Sequence, residues 1–486
     1  METRDVVIVG AGLLGCFAAR ALAAYALDVT VLEAREDVCT GVSRANTGVI
    51  YAGYDTQPGT LKTRLCVAGS RGMAALCREL DVPFSRCGSL MIACGEKAEA
   101  VLRRKYAAGL ENGVEGLRLL TAGAVRAMEP NLTDRVTAGL YAPGAGTLDP
   151  WALGIAAFEN AQANGVEFCF GETVRALRRN GGGFLLETDT ETHQTRAVLN
   201  CAGLAADRVR ELVEAPLVRI FPSAADYLVL DDVSRGFVRH VIFHEPEEKG
   251  KGLTLVPTVS GNLLVGPTER DMAGAPGATA AAGLAELRAL CAQIVPDLDL
   301  DLVIRSFGAV RPNPYYVREE AGEWVPEARG IPSFTVLEER GLVSLIGIKT
   351  PGLTCAKPLG DYAAEKLLAH LGGATRKAGF DPRRRAVPNL REMPEAARAA
   401  LVAAQPDYGR IVCRCRGVSE GEVREAIRRG ACTVDGVKRR TGAGMGRCQG
   451  GFCTERVLAL LAEERGVAPT AVCKDGAGSE VLHGTL

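Results

Sequence analysis

The segment DVVIVGAGLLGCFAARALAA, starting at Asp5, constrains the fold more than any other part of the chain. A short apolar run at residues 6–9 leads into Gly10, Gly12 and Gly15, and an Ala-rich stretch of helical period follows at 14–24. In a strand–turn–helix unit the first glycine permits the tight turn. The second lets the backbone approach a pyrophosphate, and the third lets helix pack closely on strand. Leu13 and Leu14 open the helix. A second strand candidate, 29–32, ends at Glu33 and Ala34, with Glu33 18 residues after Gly15, where a carboxylate would hydrogen-bond ribose hydroxyls. Together these elements predict a dinucleotide site on a Rossmann-type α/β unit, and they do not separate FAD from NAD.

The rest of the chain extends this pattern. Strand candidates at 198–201, 227–230, 253–256, 263–265 and 342–346 alternate with helix candidates at 68–80, 150–164, 281–294 and 359–371. A chain of 486 residues has room for several domains, and its 57 Lys and Arg against 58 Asp and Glu give no global field for nucleic acid. No apolar run reaches the ~18 residues of a membrane span, and the first apolar run leads into a glycine turn rather than a cleavage site. The expected location is cytoplasmic, with membrane association only through a partner. From Gly373 the composition becomes basic and proline-dotted, as in a linker running into a short helix.

Most of the 16 cysteines sit singly in apolar surroundings, as reduced core thiols do. The C-terminal group differs. Cys413 and Cys415 form C-x-C, and Cys448 and Cys453 form C-x4-C. Two close thiolate pairs suit a 2Fe-2S cluster with one pair per iron, and a zinc site is the alternative. Ser419 and Glu422 form a capping box that starts a helix just after the first pair. Gly442, Gly444 and Gly446 imitate a second phosphate loop without a preceding strand, and are better placed to bring backbone N–H groups to cluster sulfurs. Lys438, Arg439 and Arg440 would offset cluster charge, dock an acidic partner or form plain solvated surface. Cys432 and Cys473 are read as structural.

The segment GVSRANTGVIYAGYDTQPGTLKTRLCVAG (41–69) resembles the flavin-contacting region of the D-amino-acid-oxidase-like FAD superfamily, nearest to the anaerobic glycerol-3-phosphate dehydrogenase large subunit and L-2-hydroxyglutarate oxidase. The likeness continues through APGAGTLDPW, VLNCAG, LVPTVSGNLLVGPT and GIKTPGLTCAKPLGDYAAEKL. The unit from IVCRC to GMGRCQGGFC resembles the bacterioferritin-associated-ferredoxin-like 2Fe-2S domain in its form fused to such flavoenzymes. The resemblance implies FAD, with Ser43, Asn46, Thr47 and Gly48 along the flavin, Val174 near the adenine, and Ala202 and Gly203 beside the dinucleotide. It also implies that Gly352, Leu353 and Thr354 present backbone N–H groups near flavin N1 and O2. The fold it implies is α/β with an α+β substrate region: a Rossmann-type FAD-binding domain interleaved with an antiparallel-sheet substrate domain over 1–372. A linker at 373–407, a small helical 2Fe-2S domain at 408–466 and a tail at 467–486 would follow.

The expected substrate is a small anion. Arg311, in SFGAVRPNPYY, matches the arginine that faces substrate in relatives, and Lys349 would add a second charge beside the flavin-contacting turn. His244, Tyr51 and Tyr227 are candidates for the base. Tyr51 stands where many relatives carry His, Ala225, Asp226 and Tyr227 replace G-E-Y, and Lys349 to Thr354 replace E-S-P-G-L-T. These changes fall where the resemblance places substrate recognition. The leading function is oxidation of glycerol 3-phosphate or a 2-hydroxy acid, with electrons leaving through the cluster to a partner flavoprotein or an iron-sulfur or membrane subunit. Secondary-amine or imino-acid oxidation and a non-catalytic electron-transfer subunit are the alternatives.

Overall fold

The computed structural model describes residues 3–245, 252–272 and 277–484. Strand Thr3–Val9 lies inside an eight-stranded sheet, paired in parallel with Val29–Glu33 and Thr192–Asn200. Glu167–Phe170 extends the parallel set beyond Val29–Glu33, and Leu342–Ile346 pairs in parallel with the end of Thr192–Asn200. The continuous apolar reading of Val6 to Val9 follows from this position, because both faces of the strand are covered and these residues are buried. Helix Leu13–Leu22 packs against helices Pro150–Ala163 and Ala356–Leu371 on one side of the sheet.

The second sheet has ten strands and is mainly antiparallel. Its spine is the pairing of Val218–Leu230 with Val303–Glu320. Leu263–Gly266, Thr254–Pro257, Val241–His244 and Ser89–Ala93 continue it outward. The chain passes repeatedly between the two sheets, so the dinucleotide and substrate regions are interleaved in sequence, and a cavity opens between them.

Two spine strands are far longer than their sequence signals. Residues 227–230 are only the end of Val218–Leu230, and Val303–Glu320 carries Pro312 and Pro314 within it. Prolines weaken a local strand signal, and the long non-local partner overrides it. Helix Leu61–Glu79 starts earlier than the periodicity at 68–80 suggests, because the Thr60 hydroxyl accepts from the Thr63 N–H and caps it.

The basic stretch after Gly373 lies along the two-sheet unit before forming helix Glu395–Ala404. Arg376 bridges to Tyr25, Asn160 donates to the carbonyls of Asp381 and Arg383, and the buried Arg384 guanidinium bonds Glu159 at 2.6 Å. These contacts make it a docked strap rather than a solvated linker. Beyond it, a short ribbon and helices Glu420–Arg428, Val434–Thr441 and Thr454–Arg465 enclose a small core of Val423, Val437, Leu460 and Leu461. The Ser419/Glu422 capping box is present. The tail also participates, since Val472 is buried in this core.

Arg439 and Arg440 overturn the expectation of a free basic patch. Both bond Asp37 of the first unit, Arg439 at 3.0 Å and Arg440 at 2.7 and 2.8 Å, and Arg439 also bonds Asp475 in the tail at 3.0 Å. Arg44 reaches the same Asp475. Burial raises the Asp37 carboxyl, but the guanidiniums of Arg440 and Arg439 outweigh it and hold it below the usual range. These two arginines therefore clasp the C-terminal unit to the loop that follows Glu33.

Candidate active site

A cavity of about 540 Å³ runs between the two sheets. Its walls include Gly10, Gly12, Leu13, Leu14, Glu33, Ala34, Ser43, Asn46, Thr47, Val174, Ala202, Gly203, Gly352 and Leu353. Residues from six separate stretches of chain thus meet on one surface, as a long dinucleotide requires. Gly12 and Gly15 show the two uses of glycine. A Cβ on Gly12 would meet nothing nearer than the Ser43 hydroxyl at 3.6 Å, so the space beside it is open for a ligand. A Cβ on Gly15 would lie 1.9 Å from the Gly10 carbonyl oxygen, so this glycine secures helix-to-strand packing and does not line the cavity.

The helix that begins at Leu13 has no acid in its first turn and no side-chain cap at Gly12, which leaves its positive end suited to a phosphate. The Leu13 N–H donates to Ser43 Oγ at 3.2 Å. At the far side of the turn, the Glu33 carboxylate accepts from the N–H groups of Ala11 at 2.7 Å and Arg35 at 3.0 Å. Burial nonetheless pushes its pKa up. The open Gly12 cradle, the bare helix start and the fixed Glu33 fit an FAD diphosphate and ribose.

Tyr51, Tyr227, Arg311 and Lys349 line the same cavity. Tyr51 stacks on Phe243 at 5.6 Å and Tyr227 on Phe307 at 4.8 Å. Burial raises both phenols, so both are protonated at neutral pH. Arg311 forms an ion pair with Glu269 at 3.1 Å and also bonds Tyr227. Lys349 Nζ donates to Asn313 Oδ1 at 2.7 Å, and Asn313 donates to Ser223.

Three expected residues lie elsewhere. His244 is not part of the cavity wall: its neighbour Phe243 turns toward Tyr51, and strand alternation sends His244 to the opposite face. Thr354 is buried behind the wall, where its hydroxyl accepts from the Tyr51 N–H at 3.0 Å. Gly48 turns the chain with φ +74° against the Leu148 carbonyl. Asp226 also faces away, buried against Arg270 at 3.0 Å and Thr268 at 3.1 Å, so of the altered A-D-Y triplet only Tyr227 reaches the cavity. Sequence reading missed Glu269, Asn313 and Asp37, three polar side chains outside any local motif.

The four C-terminal cysteines come together as two couples, each drawing one thiol from each motif. Cys415 lies 3.6 Å from Cys448, and Cys453 hydrogen-bonds Cys413. The Cys453 bond, reinforced by backbone N–H groups that include Gly444, lowers Cys413 to about 5, while the same bond raises Cys453. The N–H groups of Phe452 and Gly450 lower Cys448. Gly446 has no room for a side chain, since a Cβ would stand 2.4 Å from that of Cys415. Sulfurs in two couples with amide donors fit a cluster of two irons. Lys438, half-buried nearby, is lowered to about 8, first by desolvation and then by Arg305.

Residues 5–366 match the FAD dependent oxidoreductase family, and residues 411–463 match the BFD-like [2Fe-2S] binding domain. The chain belongs to the FAD dependent oxidoreductase family. Its cofactors are FAD and a 2Fe-2S cluster. It is similar to a glycerol 3-phosphate dehydrogenase of Caloramator mitchellensis, 38% identical over 99% of this chain and 98% of the relative. A bovine mitochondrial L-2-hydroxyglutarate dehydrogenase is 30% identical over 54% of this chain and 60% of that protein. Among solved structures, the FAD-bound L-alpha-glycerophosphate oxidase of Mycoplasma pneumoniae superposes with a TM-score of 0.71 at 26% identity, covering 79% of this chain and 99% of that one. Among the described residues of this oxidoreductase, no helix is long and apolar enough to cross a membrane.

Proposed function

We propose that this oxidoreductase oxidises glycerol 3-phosphate or a small 2-hydroxy acid and passes the electrons to a partner protein. An FAD held by the Gly10–Gly15 turn and Glu33 would supply a hydride acceptor, and a 2Fe-2S cluster held by Cys413, Cys415, Cys448 and Cys453 would supply a one-electron exit. The observation that carries this reading is the pair of cations, Arg311 and Lys349, on the wall of the cavity that receives the flavin. Arg311 offers a fork matched to a carboxylate or phosphate, and Lys349 adds a point charge. Tyr51 and Tyr227, held protonated by burial, orient the substrate oxygen as donors. The full-length likeness to a glycerol 3-phosphate dehydrogenase supports the phosphate ester as first choice. The assigned folding units are 1–372 and 408–466, acting in the cytoplasm or at a membrane through the partner.

Anaerobic flavin reduction tests this. Glycerol 3-phosphate or L-2-hydroxyglutarate should bleach the flavin band within the enzyme's turnover time, and sarcosine, proline and opines should not. Bleaching by the amines alone would replace the reading with amine oxidation. Bleaching by no small molecule would leave an electron-transfer subunit.

A further inference from the structure

The four cluster thiols differ in their access to solvent. Cys413 and Cys453 are buried, Cys448 is half-buried, and Cys415 is exposed. Beside the accessible couple stands Phe452, whose own N–H bonds the Cys448 sulfur and whose ring is 85% exposed. Among the described residues it is the most exposed large apolar side chain. A ring so placed contributes almost nothing to the fold, since apolar stabilisation scales with area removed from water.

The cysteine-bearing segments on either side of it carry more arginines than acids. Arg414, Arg447 and Arg456 are exposed; Arg447 bonds Asp231 at 2.8 Å with 70% of its side chain exposed, and Arg456 pairs with the buried Glu420 at 2.8 Å while keeping about half of its side chain exposed. In the ligand loop from Gly446 to Arg456 the one acid is Glu455. Residues 408–466 contain 12 Lys and Arg against 7 Asp and Glu, in a chain whose net charge is −1. Arg439 and Arg440 are buried in the clasp, and Arg414, Arg447 and Arg456 are among the arginines of this unit that face outward.

We propose that Phe452, together with the exposed Arg414, Arg447 and Arg456 of the cysteine-bearing segments, forms the docking face for an electron-carrier protein with an acidic surface. The proposal rests on the reading that electrons leave through the cluster. The step is a single electron transfer: the reduced cluster loses one electron, the carrier's prosthetic group gains it, and no bond forms or breaks. An apolar centre with a charged rim suits such a transient encounter, because the ring supplies contact area and the arginines supply steering and orientation.

The test uses the holo-protein and two immobilised probes, flavodoxin as an acidic carrier and cytochrome c as a basic one, with binding read by interferometry. Flavodoxin should bind, and its affinity should fall at least tenfold as salt rises from about 0.05 to about 0.5 M. Phe452→Ala should weaken binding roughly tenfold, as loss of a central anchor does, and Arg414→Glu should weaken it further. Phe452→Ala keeps the N–H that bonds Cys448, and iron content with the reduced-cluster resonance signal verifies loading in both variants. Absence of flavodoxin binding, tighter binding of cytochrome c, or unchanged affinity in both variants would overturn the proposal. A separate arm adds substrate anaerobically to the wild type and looks for the reduced-cluster signal. Failure of that arm alone would refute the electron route and leave the docking result standing.

Discussion

At the dinucleotide end of the cavity the recognising groups are backbone: the Gly10–Gly15 turn, the bare start of helix Leu13–Leu22, and a single acid, Glu33, fixed by two amides. At the substrate end they are side chains, with Tyr51, Tyr227, Arg311 and Lys349 arriving from well-separated parts of the chain. A backbone site fails when a Cβ intrudes, and a side-chain site fails when a charge is removed. The first kind of failure is steric and nearly complete. The second is graded and leaves the cofactor in place.

Substitutions ranked by expected effect test that difference. Gly15→Val, with its Cβ forced to within 1.9 Å of a backbone oxygen, should abolish FAD retention and lower the yield of folded protein. Gly12→Ala sharpens the point, because its Cβ enters open space: Tm should stay near wild type while FAD is lost on dialysis. If both variants retain flavin after dialysis, the backbone account of this end is wrong.

Asp37→Ala comes next, since it leaves two buried guanidiniums short of a partner. Such a break costs about 3–5 kcal/mol, and Arg439 keeps Asp475, which puts the loss near about 3. The pH dependence has a definite sign. The Asp37 carboxyl is lowered in the folded protein relative to about 3.9 when unfolded, so the clasp contributes fully above about pH 4 and is lost as pH falls through the folded value. Thermal scans should show the gap between wild type and Asp37→Ala closing below about pH 4.

Arg311→Leu should raise the substrate KM roughly 10- to 100-fold, the loss of about 1.5–3 kcal/mol for a charged hydrogen bond, with FAD content unchanged. Lys349→Gln should produce the smallest change, roughly fivefold or less, because glutamine can still donate to Asn313. Loss of flavin in either variant would erase the distinction between the two ends.

The same distinction explains what was legible in the sequence. A glycine turn is written in consecutive residues with fixed spacing, so the strand, helix and acid were readable, as were the close cysteine pairs and the Ser419/Glu422 cap. How the cysteines couple was not: each motif contributes one thiol to each couple, because the C-terminal helices fold the second motif across the first. His244 looked suitable because strand alternation is invisible until one face is known to be inward, and Phe243 occupies that face. Asp37 gave no signal, since its partners lie about four hundred positions away. Arg439 and Arg440 read as surface charge for the same reason.

The clasp also orders the making of the protein in time. Asp37 lies in the loop between Glu33 and the Ser43 segment that walls the cavity, and its counter-charges, Arg439 and Arg440, are synthesised about four hundred residues later. Until then Asp37 is without Arg439 and Arg440, and the loop lacks the contact they supply. The cradle thus depends on the cysteine-bearing unit, and a product ending before that unit would carry the whole glycine fingerprint yet hold its flavin less firmly.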